Sequence, residues 1–412
     1  MRVEKNVPEI RFEGFSGEWE EKVLEDICDV RDGTHASPKY QQNGFPLVTS
    51  KNVKNGYINY DDVQYISKID FDEINKRSKV DVNDILIGMI GTIGNIALIR
   101  QTPDFAIKNV ALIKDKNEMD FLYSYYFLQS PITTQQLDDF ASGGTQKFIS
   151  LSNVRSLLIC VPEREEQTAI GNTFQKLDSL INQHQQKHDK LSNIKKAMLE
   201  KMFPKQGETM PEIRFKGFSG EWEVKPLSEV AEVIDPHPSH RAPDAVENGV
   251  PFIGIGDISD SGLVDFKNVR IVPLHIYNEH SARYTIENGD FAYGRVASVG
   301  KIIDLSNNVG NRYTYSPTMA IVKPKSLRPA FLKSYLGTDV FKAHVDNKTS
   351  GSTRKSLGVQ DFRNLPVLFP LVDEQTAIGS YFQKLDTLVN QHQQQITKLN
   401  NIKQACLSKM FV

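Results

Sequence analysis

Four stretches of the chain carry residue types that could do chemistry, and none has the spacing that chemistry needs. Gly294-Arg295-Val296-Ala297-Ser298-Val299-Gly300-Lys301-Ile302 offers the glycines and lysine of a phosphate-cradling loop. Five residues separate its glycines, however, and Ile302 stands where a magnesium-binding hydroxyl belongs, so it reads as strand, turn and strand. Gly88, Gly91 and Gly94 form G-x-x-G-x-x-G, which is not the dinucleotide fingerprint and reads as turn glycines. Pro103-Asp104-Phe105-Ala106-Ile107-Lys108 approaches an acid–acid–lysine nuclease site, with Ala106 in place of the second metal-binding carboxylate; it reads as a loop. His237-Pro238-Ser239-His240 is constrained by proline and lacks a third ligand, so an exposed loop is expected there. Cys28, Cys160 and Cys406 are odd in number and have no C-x-x-C spacing, which indicates neither a disulfide framework nor a thiolate zinc site. An adenine methyltransferase's Asn-Pro-Pro-aromatic motif is absent too. The expectation is no catalytic residue, no metal and no cofactor in this chain.

Other residues could contact a nucleic acid, should the rest of the chain point to one. Base readout uses Arg, Lys, Asn, Gln, Ser or Thr at groove edges, and phosphates are met by cations and exposed N–H groups. Two Gly/Ser/Thr loops with basic residues fit both needs, Ser142-Gly143-Gly144-Thr145-Gln146-Lys147 and Ser350-Gly351-Ser352-Thr353-Arg354-Lys355. Were DNA the target, Thr145, Gln146 and Lys147, with Thr353, Arg354 and Lys355, would be the first candidates to bind it. Ser50, Lys51 and Asn52 follow an expected strand and come second, with Arg295 and Arg312, Tyr313 and Thr314. An ordinary surface turn is the alternative reading of each. Lys plus Arg number 49 against 51 Asp plus Glu, so any DNA contact must use local patches, not a global basic field.

These candidates sit on a chain that is written twice. Residues 8–23 (PEIRFEGFSGEWEEKV) and 211–226 (PEIRFKGFSGEWEVKP) agree at thirteen of sixteen positions. Residues 166–186 (EQTAIGNTFQKLDSLINQHQQ) and 374–394 (EQTAIGSYFQKLDTLVNQHQQ) close each half. The middles between them diverge, keeping weak landmarks: Phe45-Pro46-Leu47-Val48 against Val250-Pro251-Phe252-Ile253, and residues 84–99 against 290–305. Short Val/Ile/Phe runs bounded by turns, with helical stretches such as 121–128 and 331–336, predict an α+β domain in each half. Trp19 and Trp222, inside the repeated motif, are assigned to packing.

Each repeated end reads as a long helix, with acidic residues after Pro162 and Pro370 suiting its N-terminus. Ile170, Phe174, Leu177, Ile181, His184, His188, Leu191, Lys195, Met198 and Met202 alternate spacings of four and three, a heptad seam. Ile378, Phe382, Leu385, Val389, His392, Ile396, Leu399, Lys403, Cys406 and Met410 repeat it. One apolar stripe must be buried, and the other copy is the cheapest partner, so an antiparallel coiled coil related by a pseudo-twofold axis is expected. As one helix, residues 165–202 would run roughly 57 Å. The seam histidines read as a solvated margin or register device, not a metal site.

At this point PEIRF-x-GF-x-GEW at the start of each half, EQTAIG-x-x-F-x-KLD in each helix and the overall layout resemble the specificity subunit of a type I restriction–modification enzyme. The resemblance covers essentially the whole chain. It implies two target recognition domains, residues 1–162 and 205–370, joined by spacer helices 163–204 and 371–412. Each domain would read one half of a bipartite, asymmetric double-stranded DNA site. It also implies that the chemistry lies in partners: two modification subunits that bind S-adenosylmethionine and methylate adenine, and two motor/endonuclease restriction subunits that use ATP and Mg. If both domains meet one face of B-DNA, their centres lie about one turn, roughly 10–10.5 bp, apart, leaving about six unread pairs between half-sites of about four.

The 412 residues suit two or more domains, and 39% apolar with 24% charged residues suits folded cores. No run approaches the roughly 18 apolar residues of a membrane span, and Met1–Ile10 lacks a signal peptide's apolar block. A reducing, cytoplasmic location is expected. The competing reading is a coiled-coil scaffold that links two protein-binding domains without touching DNA.

Overall fold

Two long helices, Arg164–Lys201 and Val372–Lys409, each open on acidic residues, Glu165 and Glu166 in one and Asp373 and Glu374 in the other. The computed structural model describes residues 6–91, 93–143, 147–239, 241–259, 262–351 and 355–412. These form two compact units, the first comprising residues 1–185 with 394–412 and the second residues 186–393. Each unit therefore holds the first half of one long helix and the second half of the other.

Within each unit the helix segments pair antiparallel. In the first, Phe174 stacks on Phe411 with ring centroids 5.7 Å apart, and Lys403 Nζ meets Asp178 Oδ1 at 2.7 Å. The second repeats this with Phe382 against Phe203 at 5.7 Å and an ion pair between Lys195 and Asp386. The two lysines that interrupt the apolar seam are thus each held by a carboxylate across it. No seam position of either helix is exposed; Ile170, Phe174, Ile378, Phe382 and Leu385 are buried, while Leu177, Ile181, Leu191, Val389 and Leu399 are half-buried.

The repeated motifs weld a sheet-bearing region to each helix start. Arg11 Nε and Nη2 donate to the two carboxylate oxygens of Glu166, both at 2.8 Å, and the same guanidinium donates to the carbonyls of Ser16 and Gly17. Arg214 does the same to Glu374, at 2.6 Å for both bonds, and to Ser219 and Gly220. Both glutamates are 1% exposed. The following glutamines, Gln167 and Gln375, donate to the carbonyls of Pro162 and Pro370 and accept from the N–H groups of Asp120 and Arg328. Further along, Gly171 meets the helix Phe121–Phe127 so closely that an added Cβ would lie 2.7 Å from Leu122 Cβ; Gly379 meets Pro329–Leu336 with a corresponding 2.8 Å to Phe331 N. The motif also caps a helix end: Ile10 N–H donates to Lys409 O and Ile213 N–H to Lys201 O, each satisfying a terminal carbonyl. Trp19 packs edge-on to Tyr123 and Trp222 edge-on to Phe203, both in the core.

The divergent middles fold alike. Each has a four-stranded antiparallel sheet, ordered Cys28–Asp32, Val110–Asp115, Ile85–Gly88, Ile96–Leu98 in the first unit. In the second the order is Ala231–Ile234, Met319–Pro324, Phe291–Gly294, Ile302–Asp304. Each also has a three-stranded sheet whose central strand, Phe45–Thr49 or Val250–Ile253, pairs parallel with Ala106–Lys108 or Thr314–Tyr315. The structure differs from expectation at two places. Residues 103–108 are not simply a loop, because Ala106–Lys108 is a strand, three residues long and buried at successive positions, so that no alternation marks it in the sequence. His237 is not in an exposed position but 7% exposed, packed against Phe252.

Candidate nucleic-acid interface

In the first unit the turn between Ile85–Gly88 and Ile96–Leu98 passes through Gly91 and Gly94 at φ +81° and +79°, conformations that favour glycine. Gly91 N–H donates to the carbonyl of Lys147 at 2.9 Å, and Ile149 N–H to that of Met89. Lys147 therefore sits in a loop held beside this turn and closed by reciprocal backbone bonds between Ser142 and Phe148. Its side chain is exposed. Thr145 and Gln146 lie outside the described residues, as do Thr353 and Arg354. In the second unit the closure repeats between Ser350 and Ser356, and Ala297 N–H donates to the carbonyl of Lys355 at 3.1 Å. Lys355 is exposed and paired with Asp346 at 2.9 Å.

The remaining candidates divide by burial. Ser50, 4% exposed, donates to Asn109 O at 2.6 Å and accepts from the N–H groups of Met89 and Ile90, tying three segments together. Asn52, 3% exposed, accepts from Thr49 and donates to Asn59 O. Between them Lys51 is exposed, with Asp62 at 2.8 Å. Thr314 is fully buried and donates to Pro251 O. Arg312 is exposed, and Tyr313, half-buried, stands edge-on to Phe266. Arg295 takes the core position that Met89 holds in the first unit: each carbonyl accepts from the residue after its loop, Ile149 or Leu357. Its guanidinium lies 3.5 Å from Asp235, leaves Nε and Nη1 without hydrogen-bond acceptors among the described residues, and burial lowers its pKa. Lys51, Lys147, Arg312 and Lys355 are thus the described candidates whose charged ends face solvent, whereas Ser50, Asn52 and Thr314 are hydrogen-bonded inside and Arg295 is buried.

Sequence reasoning passed over the hairpin that Asn52 holds, Val53–Lys54 paired with Tyr57–Ile58. Its outward residues, Tyr57 and the nearby Tyr60, are exposed aromatics. The available signal was an apolar side chain on the solvent side of a two-residue alternation. It also passed over a buried imidazole pair in the second unit. His237 Nε2 faces Arg241 O at 2.8 Å, so it donates; His237 Nδ1 then accepts from His280 Nε2 at 3.1 Å, and His280 Nδ1 accepts from Tyr284. Burial first, with Arg283 nearby, pushes the His280 pKa down to about 4, which keeps the Nδ1 acceptor of this chain unprotonated. Among the described residues no group of three or more His, Cys, Asp or Glu side chains is arranged to hold a metal ion.

Residues 16–193 and 219–401 match the type I restriction modification DNA specificity domain, so the match covers most of the chain and occurs twice. The chain belongs to the type I restriction–modification specificity subunit family. Among relatives of this specificity subunit, the MjaVIII type I restriction enzyme specificity subunit of Methanocaldococcus jannaschii is 23% identical over 404 residues, covering 95% of this chain and 93% of the relative. The MjaIX specificity subunit of the same organism is 22% identical over 426 residues, covering 95% and 92%. The crystal structure of a type I restriction–modification S subunit from M. genitalium shares the fold, with a TM-score of 0.61 at 15% identity, covering 98% of this chain and 99% of that one. No helix among the described residues is long and apolar enough to cross a membrane.

Proposed function

We propose that this specificity subunit is the non-catalytic DNA reader of a type I restriction–modification enzyme, each recognition domain reading one half of a bipartite, asymmetric site. The carrying observation is the contrast between the two kinds of residue in each unit. Those that are near-identical between the halves, Arg11 with Glu166 and Arg214 with Glu374, make the same internal clamp. The middles keep one topology on divergent sequence, as two readers of different half-sites would. In this reading residues 1–162 and 205–370 are the recognition domains, and helices 163–204 and 371–412 set the spacer and dock two modification subunits. Those partners bind S-adenosylmethionine and methylate adenine; two restriction subunits, using ATP and Mg, complete the nuclease in the cytoplasm. Lys51, Lys147, Arg312 and Lys355 are the exposed cations favoured for phosphate contact, with Thr145, Gln146, Thr353 and Arg354 beside them in sequence.

The test is to co-express the chain with its modification subunit in a methylation-free host and map modified adenines by long-read sequencing. A split motif with a constant unread gap is expected, and exchanging residues 22–161 for those of a relative should change one half-site only. An active complex that methylates without motif preference would overturn the proposal.

A further inference from the structure

The hairpin after Phe45–Thr49 turns Val53, fully buried, and Ile58 toward the core and leaves Tyr57 59% and Tyr60 45% exposed. In the second unit Ile258 is buried and Val264 packs inward, while Leu263 is 61% and Phe266 53% exposed. Backbone bonds establish the equivalence: Asn59 N–H donates to Asn52 O and Asp265 N–H to Asp257 O, both at 2.8 Å. Tyr57 thus corresponds to Leu263 and Tyr60 to Phe266. In both units the outer aromatic stands edge-on to the aromatic that precedes the parallel strand. Tyr60 and Phe105 lie 6.3 Å apart at 63°, and Phe266 and Tyr313 5.9 Å apart at 61°.

The inward side chains already serve the core, so the fold does not require large apolar groups at the outward positions. Edge-on support limits ring motion before any ligand arrives, which lowers the entropy cost of binding. The positions are kept in both halves, but the residues are not: Tyr against Leu, Tyr against Phe, and next to them Asp61 against Lys267. A surface that met the same protein twice would keep its residues, as the PEIRF and EQTAIG motifs do. A surface that meets two different half-sites would change them.

We infer that Tyr57 with Tyr60, and Leu263 with Phe266, are base-contacting residues that help determine the sequence each recognition domain reads; this rests on the DNA-reading function proposed above. The first pair brings two hydroxyls able to hydrogen-bond base edges. The second has neither donor nor acceptor and suits the thymine methyl or a base face.

The test uses the full chain assembled with its modification subunits, measuring methylation of duplexes that carry every single-base change in the mapped motif. Y57L/Y60F is expected to lose about tenfold or more of its discrimination at one or more positions of one half-site, and L263A/F266A to do so in the other. Unchanged discrimination in both variants would overturn the inference. So would variants that melt normally but no longer assemble with the modification subunits, since the hairpins would then be protein contacts. A wild-type complex without any motif would instead overturn the DNA-reading proposal itself.

Discussion

Replacing Arg11 by alanine leaves the Glu166 carboxylate, 1% exposed, without its two 2.8 Å guanidinium bonds, and leaves the Ser16 and Gly17 carbonyls without their shared donor. Removing one partner of a buried ion pair costs about 3–5 kcal/mol, mostly because the other charge stays desolvated. At a urea m-value of roughly 2 kcal/mol/M, the midpoint of the first unit should fall by roughly 1.5–2.5 M. A local reporter is at hand. Trp19 lies 6.0 Å from the Arg11 guanidinium, and the one other tryptophan, Trp222, belongs to the second unit. Tryptophan fluorescence in a Trp222→Phe background therefore follows the first unit. The R11M/E166M double variant removes both charges and should recover much of the loss. A shift under about 0.5 M for Arg11→Ala, or a double variant as unstable as the single, would refute the buried-charge account.

Gly171→Ala sets a Cβ 2.7 Å from Leu122 and should destabilise by about 1–3 kcal/mol, seen as a lower urea midpoint; no change would mean that the Phe121–Phe127 helix is free to shift. Ala297 holds φ +62° where the first unit has Gly91, so Ala297→Gly should raise stability by about 1 kcal/mol, and a lower melting temperature would count against strain there. The His280 pKa is held down to about 4, whereas an unfolded histidine protonates near 6.5. Its neutral form thus contributes stability that is full above about pH 6.5 and lost as the pH falls toward about 4. Melting curves across that window should steepen with acid in the wild type and flatten in His280→Gln; equal slopes would remove the imidazole chain as the cause.

The candidate DNA residues were legible only as types. Lysine, arginine, serine and asparagine near a turn are equally suited to a groove and to the interior of a loop, and the difference lies in which backbone groups stand nearby. Ser50 faces three such groups, two N–H donors and a carbonyl, contributed by segments about 40 and 59 residues away in sequence. Arg295 occupies a methionine's place in the other half, a substitution that no local pattern distinguishes from a surface arginine. The hairpin aromatics were missed for the opposite reason. Tyr57, Tyr60, Leu263 and Phe266 look like core residues until the register turns them outward.

The duplication, the α+β middles and the two seamed helices follow from the sequence by itself, because identity at a fixed offset and a four-three apolar spacing are properties of order along the chain. Antiparallel pairing is an inference from those properties; its atoms, Lys403 on Asp178 and Lys195 on Asp386, come from the fold. Tertiary structure alone decided that Arg11 grips Glu166, 155 residues away, and that Gly171 is small because another helix abuts it. The reason is physical: desolvation of a side chain depends on atoms brought near by the whole fold, and the local sequence does not say which atoms those will be.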